Sequence, residues 1–169
     1  MAARLKIIRN HGMETKYCHQ VVGGNFRLDA LQAAVLLKKM PFLGAWSGRR
    51  WEIAQYYRAE FSELAPRLQP PAEPFKESIG NRGHTYHQFV VRTARRDQLR
   101  EHLRGLGIET EIYYPIPLHL QKCFAQMTAK PCPVSESAAK EVLALPIFPE
   151  LTDGEVEVVA KGVVSFFKK

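Results

Sequence analysis

Pro66, Pro70, Pro71 and Pro74, followed by Gly80, Asn81 and Gly83, interrupt this chain before its middle. Proline fixes φ and offers no N–H, so such a stretch neither continues a helix nor enters a sheet interior. Residues 66–83 therefore read as a connector. What folds must be built on either side of it: a helical first part, residues 1–65, and a mixed second part, residues 84–169.

In the first part, Leu28, Leu31 and Val35 recur at helical spacing, with Ala34 beside them, which predicts a helix from Leu28 to about Met40. Asp29 with Gln32 resembles a capping box, and Pro41 interrupts the pattern. A second helix is expected from about Ser47 to Leu64, with Ile53, Tyr57, Phe61 and Leu64 on one face and Arg49, Glu52, Arg58 and Glu63 on the rest.

The second part opens with a strand at about Thr85–Arg92, where β-branched and aromatic residues concentrate. A helix from Asp97 to Arg104 comes next, its buried stripe Leu99, Leu103 and Leu106, closed by Gly105 and Gly107. Ile108, Thr110 and Ile112 alternate with Glu109 and Glu111 as in a half-buried strand. Pro115 and Pro117 make Tyr113–His119 an irregular loop. Ser135 is placed to cap a helix through Leu143, with a short strand at Leu145–Phe148 after it. Thr152 with Glu155 caps the last helix, whose buried face is Val156, Val159, Val163 and Phe166. The expected class is α/β, an α+β layer of a small sheet covered by helices.

Composition narrows the function. At 169 residues, 46% hydrophobic and 24% charged, the chain matches an ordinary soluble domain. No apolar run approaches the ~20 residues of a membrane span, and Met1–Arg9 is too short and basic for a secretory signal, so a cytoplasmic location is expected. The net charge of +7 comes from scattered residues such as Arg49-Arg50, Arg95-Arg96, Arg100 and Arg104. Without a basic run or a basic-aromatic motif, nucleic acid gains no specific support, and an anionic metabolite fits equally well. Cys18, Cys123 and Cys132 show no CxxC spacing and are expected to be buried free thiols; a zinc site from Cys123, Cys132 and His119 lacks closely spaced ligand pairs.

Four phrases carry residues that packing does not require: Arg9-Asn10-His11-Gly12; Gly24-Asn25-Phe26-Arg27-Leu28-Asp29-Ala30-Leu31-Gln32-Ala33-Ala34; Ile108-Glu109-Thr110 leading to Tyr113-Tyr114-Pro115-Ile116-Pro117-Leu118-His119; and Leu145-Pro146-Ile147-Phe148-Pro149-Glu150-Leu151-Thr152. In this order they resemble the DegT-type (DegT/DnrJ/StrS) family of pyridoxal-phosphate-dependent nucleotide-sugar aminotransferases, over essentially the whole chain. The resemblance implies the C-terminal part of a fold-type I, aspartate-aminotransferase-like protein. Its members are homodimers that hold pyridoxal phosphate at the subunit interface. They move an amino group from glutamate to a nucleotide-linked keto sugar, for cell-surface polysaccharides or secondary metabolites.

In the family, a lysine of the large domain forms the Schiff base, and it lies upstream of the phrase matched by Arg9–Gly12. The lysines present here lack its serine-rich context. The resemblance therefore implies a truncated portion with no catalytic residue of its own, inactive alone, in which residues 1–65 are a remnant of the large domain and dimer interface.

By the same resemblance Asn25 is the amide that reaches the cofactor phosphate across the interface, with Gly23-Gly24 letting the backbone approach. Tyr114 and His119 would face the sugar nucleotide, and His11, just before a glycine in an expected exposed loop, is a further candidate to face substrate. Each has a plainer reading: Asn25 capping its own turn, His11 a solvated loop histidine, Tyr114 and His119 packing the proline-rich loop. Arg27 fits a structural ion pair better than an anion site, and His84, His87 and His102 are ordinary polar positions. Glu109 and Glu111 fall on one solvated strand face rather than forming an acid–base pair. Two other functions stay open: a non-catalytic binding or regulatory module derived from this family, and a basic nucleic-acid-binding protein, whose binding would weaken steeply with salt.

Overall fold

The computed structural model describes residues 1–75, 83–126 and 130–168, so Gly80 and Asn81 of the expected connector lie outside it. The chain forms two compact units, Met1–Leu43 and Gly44–Lys169.

In the first unit, α1 (Ala2–Ile8) leads to a small antiparallel hairpin of β1 (Met13–Thr15) and β2 (Cys18–His19), and then to α2 (Ala30–Lys39). Asp29 caps α2, accepting the Leu31 N–H at 2.8 Å. Neither α1 nor α2 has a buried residue, and Leu31, one of the positions that betrays the helix, is 80% exposed. Helical periodicity thus located α2, but its apolar side chains do not pack within the unit.

The second unit is α3 (Leu43–Glu60), β3 (Phe89–Arg92), α4 (Arg96–Gly105), α5 (Pro133–Glu141), β4 (Val142–Leu145) and α6 (Asp153–Lys168). β3 and β4 pair antiparallel, Phe89 opposite Leu145 and Arg92 opposite Val142. Single antiparallel bridges widen this ladder, Gln69 to Arg92 on one side and Glu111 to Ala144 on the other. β4 is therefore interior, and all four of its residues are buried. The alternating segment Ile108–Ile112 contributes only that bridge at Glu111, although Ile108 and Ile112 are buried as expected.

The units divide at 43/44 rather than at 66–83, and α3 shares one buried core with β3, α4, β4 and α6. Ile53, Tyr57, Phe61 and Leu64 lie in one core with Phe89, Leu99, Leu143 and Val163. The proline-rich stretch is itself tied down as far as it is described. Leu68 is fully buried, Gln69 exchanges two backbone bonds with Arg92, and Arg58 donates to Pro71 O. Arg58 also pairs with Glu73 at 3.3 Å.

Other boundaries moved for local reasons. α5 starts at Pro133 with Cys132 as its cap residue, and Ser135 sits inside its first turn. The strand expected at Leu145–Phe148 runs instead over Val142–Leu145. It stops at Pro146, which has no N–H to give a ladder. Leu106 comes just after the end of α4 and is 52% exposed, so the buried stripe there is Leu99 and Leu103. The last helix is as expected: Glu155 Oε2 accepts from the Thr152 N–H and hydroxyl while Thr152 Oγ1 accepts the Glu155 N–H, and Val156, Val159, Val163 and Phe166 are buried. All three cysteines are free and exposed, not buried. No described helix is long and apolar enough to cross a membrane.

α4 lies close on α6 at Gly162. A Cβ there would meet Ile108 Cδ1 at 2.8 Å and Leu103 Cδ2 at 3.1 Å, both in the core, whereas a Cβ at Gly48 of α3 would meet nothing. Gly48→Ala is expected to raise stability by up to about 1 kcal/mol through helix propensity. Gly162→Ala is expected to lower it, since overpacking costs about 1–3 kcal/mol and exceeds the same gain. Urea unfolding of both variants checks this, and equal stabilisation by the two would contradict the close helix contact.

Candidate functional site

Two of the phrases singled out in the sequence are paired with each other in the first unit. Asn10 and Asn25 form an antiparallel bridge. Around it the His11 N–H donates to Gly24 O at 2.9 Å, the Phe26 N–H to Arg9 O at 2.9 Å and the Gly24 N–H to Ile8 O at 3.0 Å. Glycine is required at the crossing. Gly12 has φ +74°, and a Cβ on it would run into Val21 O; one on Gly23 would run into Ile8 and Gly12. A Cβ on Gly24 would meet the Phe26 ring. The chain's own packing therefore explains these glycines, without an approaching ligand.

This clasp presents Asn25 and His11, both exposed and without a side-chain hydrogen bond among the described residues. Arg27 donates to Asn10 Oδ1, so its partner is an amide rather than the carboxylate of an ion pair.

The second unit contains an open cleft of about 400 Å³ beside the end of β4. His87, Gln88, Glu109, Thr110, Glu111 and Tyr113 line it, with residues 144–148 completing its wall. Glu109 and Glu111 are exposed, as the alternation implied, and Glu111 Oε1 accepts the Ile112 N–H at 2.8 Å. His87, an ordinary polar position by sequence, lies on the cleft; nothing announces this because the turn before β3 leaves no pattern in the sequence. His84 and His102 have structural roles. His84 Nδ1 accepts the Tyr86 N–H at 2.9 Å, and His102 Nε2 lies 3.0 Å from Ser165 Oγ and 3.2 Å from Gly162 O, joining α4 to α6.

Tyr113 leads from the cleft into the loop through residue 120. Tyr114 is 72% exposed, while Pro117 and His119 are half-buried and the other loop residues lie open. His119 Nε2 sits 3.0 Å from Glu136 Oε1, which also accepts the Cys132 N–H at 3.0 Å. Sequence reasoning misses Glu136, because it is one polar residue inside an expected helix. Asn25 and His11 belong to one unit, Tyr114 and His119 to the other. Among the described residues no cluster of His, Cys, Asp or Glu is built to hold a metal ion.

The model of the DegT/DnrJ/EryC1/StrS aminotransferase family matches residues 1–164. The chain is similar to the erythromycin biosynthesis sensory transduction protein EryC1 of Saccharopolyspora erythraea, 42% identical over 90% of this chain and 40% of that protein. It is similar to the dTDP-3-amino-3,4,6-trideoxy-alpha-D-glucose transaminase of Streptomyces venezuelae, 41% identical over 89% of this chain and 39% of that one. Among solved structures, DesV of S. venezuelae matches with a TM-score of 0.87 and 38% identity, over 99% of this chain and 44% of DesV. The chain thus spans about two fifths of the length of the curated relatives it matches.

The bonds from His119 and from the Cys132 N–H hold the Glu136 carboxyl below its ordinary value of 4.5. A carboxyl with a lowered folded pKa stabilises the fold above its unfolded pKa and loses that contribution as pH falls through the folded value. Glu136→Gln resembles the protonated form. The melting temperature of the chain should therefore exceed that of Glu136→Gln at about pH 7, and the gap should narrow as pH falls below the ordinary carboxyl value of 4.5. A gap that does not change with pH would refute this.

Proposed function

We propose that this chain, which belongs to the DegT/DnrJ/EryC1/StrS aminotransferase family, is the C-terminal portion of a pyridoxal-phosphate-dependent enzyme that moves an amino group from glutamate to a nucleotide-linked keto sugar. Its product would serve a cell-surface polysaccharide or a secondary metabolite. The family match over residues 1–164 carries this reading. The free, exposed thiols support a reducing compartment, and we assign the chain to the cytoplasm.

When bound, pyridoxal phosphate supplies the electron sink for exchange of the amino group. The Asn25 amide suits its phosphate. It is a neutral N–H donor, exposed and without a partner among the described residues, on backbone fixed by the bridge to Asn10. That is one contact, which orients a phosphate but does not by itself retain it. His11, the Tyr114 hydroxyl and the His119 imidazole are the groups we assign to the sugar nucleotide. Each is polar, and each lies in a loop held by an ordered element, where binding residues concentrate.

The nucleophilic amine is not among the described lysines. Such a lysine must be desolvated, or set beside another cation, to be neutral near pH 7. Every described lysine is exposed, and Glu157 holds the Lys161 ammonium above its ordinary value. Incubated with pyridoxal phosphate and reduced with borohydride, the 169-residue chain should give no adduct concentrated at one lysine. It should also transfer no amino group from glutamate. Single-site trapping at any described lysine would overturn this assignment.

We assign the exposed apolar side chains of the first unit to a subunit interface. Leu31, Val35, Leu37 and Met40 are all open, beyond the scattered single hydrophobics ordinary for a surface. Leu31 and Val35 are neighbours on α2, four residues apart. Analytical ultracentrifugation should show association that grows with concentration, and the double variant Leu31→Glu, Val35→Glu should weaken it. A chain that stays monomeric at every concentration would remove the support for a homo-oligomer.

A further inference from the structure

His119 and Glu136 stand on different elements, a proline-rich loop and the first turn of α5, and one carboxylate oxygen joins them. Part of that arrangement has a local explanation. Cys132 precedes α5, its carbonyl accepts the Glu136 N–H at 3.0 Å, and Glu136 Oε1 accepts the Cys132 N–H in return. An acidic side chain in the first turn also meets the positive end of the helix. Capping accounts for the carboxylate but has no need of an imidazole. The loop does not bury His119 by apolar packing either, because Ile116, Leu118 and Leu120 beside it are exposed. The His119 side chain is nevertheless only 17% exposed, against 36% for Glu136. The polar contact recorded for its ring is with that carboxylate.

The chemistry of that contact fixes a proton. An ionised carboxylate accepts and cannot donate, and its two donors keep Glu136 ionised. Nε2 of His119 must then carry the hydrogen, and in the neutral ring Nδ1 is left as a lone pair. Nδ1 has no hydrogen-bond partner among the described residues.

We propose that Glu136 is a positioning residue for His119. By accepting the Nε2–H, it sets the tautomer and orientation of the ring and leaves Nδ1 to accept a hydrogen bond from a hydroxyl of a nucleotide-linked sugar. The same bond holds the loop that carries Tyr114 to α5. This inference rests on the reading of His119 as substrate-facing.

Long-range proton–nitrogen NMR on the 169-residue chain, with His119 assigned by its loss in His119→Gln, reads the tautomer directly. Titration with dTDP-glucose at millimolar concentration reads the ligand. In its neutral ring, His119 should show a protonated Nε2 and a bare Nδ1. Glu136→Ala should average the two nitrogens, whereas Glu136→Gln, which keeps an accepting oxygen, should preserve the tautomer. Affinity for dTDP-glucose should fall about tenfold in Glu136→Ala and in His119→Gln, the loss of one hydrogen bond, and stay near that of the unaltered chain in Glu136→Gln. A protonated or averaged Nδ1 in the unaltered chain overturns the inference, and that measurement needs no variant to fold. If His119→Gln weakens binding and a folded Glu136→Ala does not, His119 still faces substrate and the role of Glu136 alone is refuted. If the tautomer is as stated but no form binds, or all bind equally, the substrate-facing reading fails and takes this inference with it.

Discussion

The ring of Phe89 is the contact on which the second unit turns. It stands at the start of β3, opposite Leu145, and touches three other rings: Tyr57 edge-on at 5.2 Å, Tyr86 at 6.0 Å and Phe61 at 6.5 Å between centroids. All four are buried. Aromatic clusters of this kind add geometric preference to a large apolar area. α3 is thereby set against the ladder, and its polar group must be satisfied where it falls. Burial pushes the Tyr57 phenol well above the ordinary range, and it donates to Pro146 O at 3.0 Å. That hydrogen bond holds the chain just past β4, where residues 146–148 form the wall of the cleft. Core packing and site geometry are therefore one arrangement.

Tyr86 connects the other side of the cleft to the same cluster. It has φ +47°, a left-handed conformation that side chains with a Cβ resist, at a cost of order 1–3 kcal/mol. Its full burial, its N–H on His84 Nδ1 and the bond from Arg58 Nε to its hydroxyl at 3.1 Å oppose that cost. Burial is also the main reason its phenol is pushed up to about 12. His87 and Gln88 come directly after it and line the cleft. The turn explains why β3 begins at Phe89 and not at Thr85. The aromatic and β-branched content of Thr85–Arg92 identified a strand correctly, but composition does not reveal a positive φ. Arg58 misled for a related reason: an arginine on the polar side of a helix reads as solvated, yet its guanidinium reaches Tyr86, Glu73 and Pro71 O.

The legible parts of the fold rested on periodic burial and reciprocal capping, which are local. Ile53, Tyr57, Phe61 and Leu64, the Thr152–Glu155 box and the Val156–Phe166 stripe all needed only neighbours within a few residues. The candidate site residues needed partners at long range. Asn25 and His11 stood out through the wording of their phrases, and no spacing rule announced that Arg9–Gly12 would pair with Gly24–Phe26. Glu136 had no visible reason to meet His119, since the sequence between Tyr113 and Cys132 has no period from which a register can be read. Prolines that suggested a break between units also misdirected, because an extended chain can lie along a core as readily as it can leave one, as Leu68 does.

The two units hold their polar groups by different means. In the second, Tyr57 and Tyr86 anchor loops to a packed interior and His102 ties α4 to α6, so side-chain positions are over-determined by volume as well as by hydrogen bonds. In the first, α1 and α2 contribute no buried residue, and the clasp around Asn25 is held by backbone hydrogen bonds and by glycines that tolerate the close crossing. Backbone bonds fix the amide relative to Asn10 and Gly12, but they place it relative to nothing larger. An anion contact needs donor and oxygen within a few tenths of an ångström. For the phosphate contact proposed for Asn25, that precision is not supplied by packing of α1 or α2, which bury no residue. Covering α2 and placing the proposed phosphate contact both fall on a unit whose own helices bury nothing.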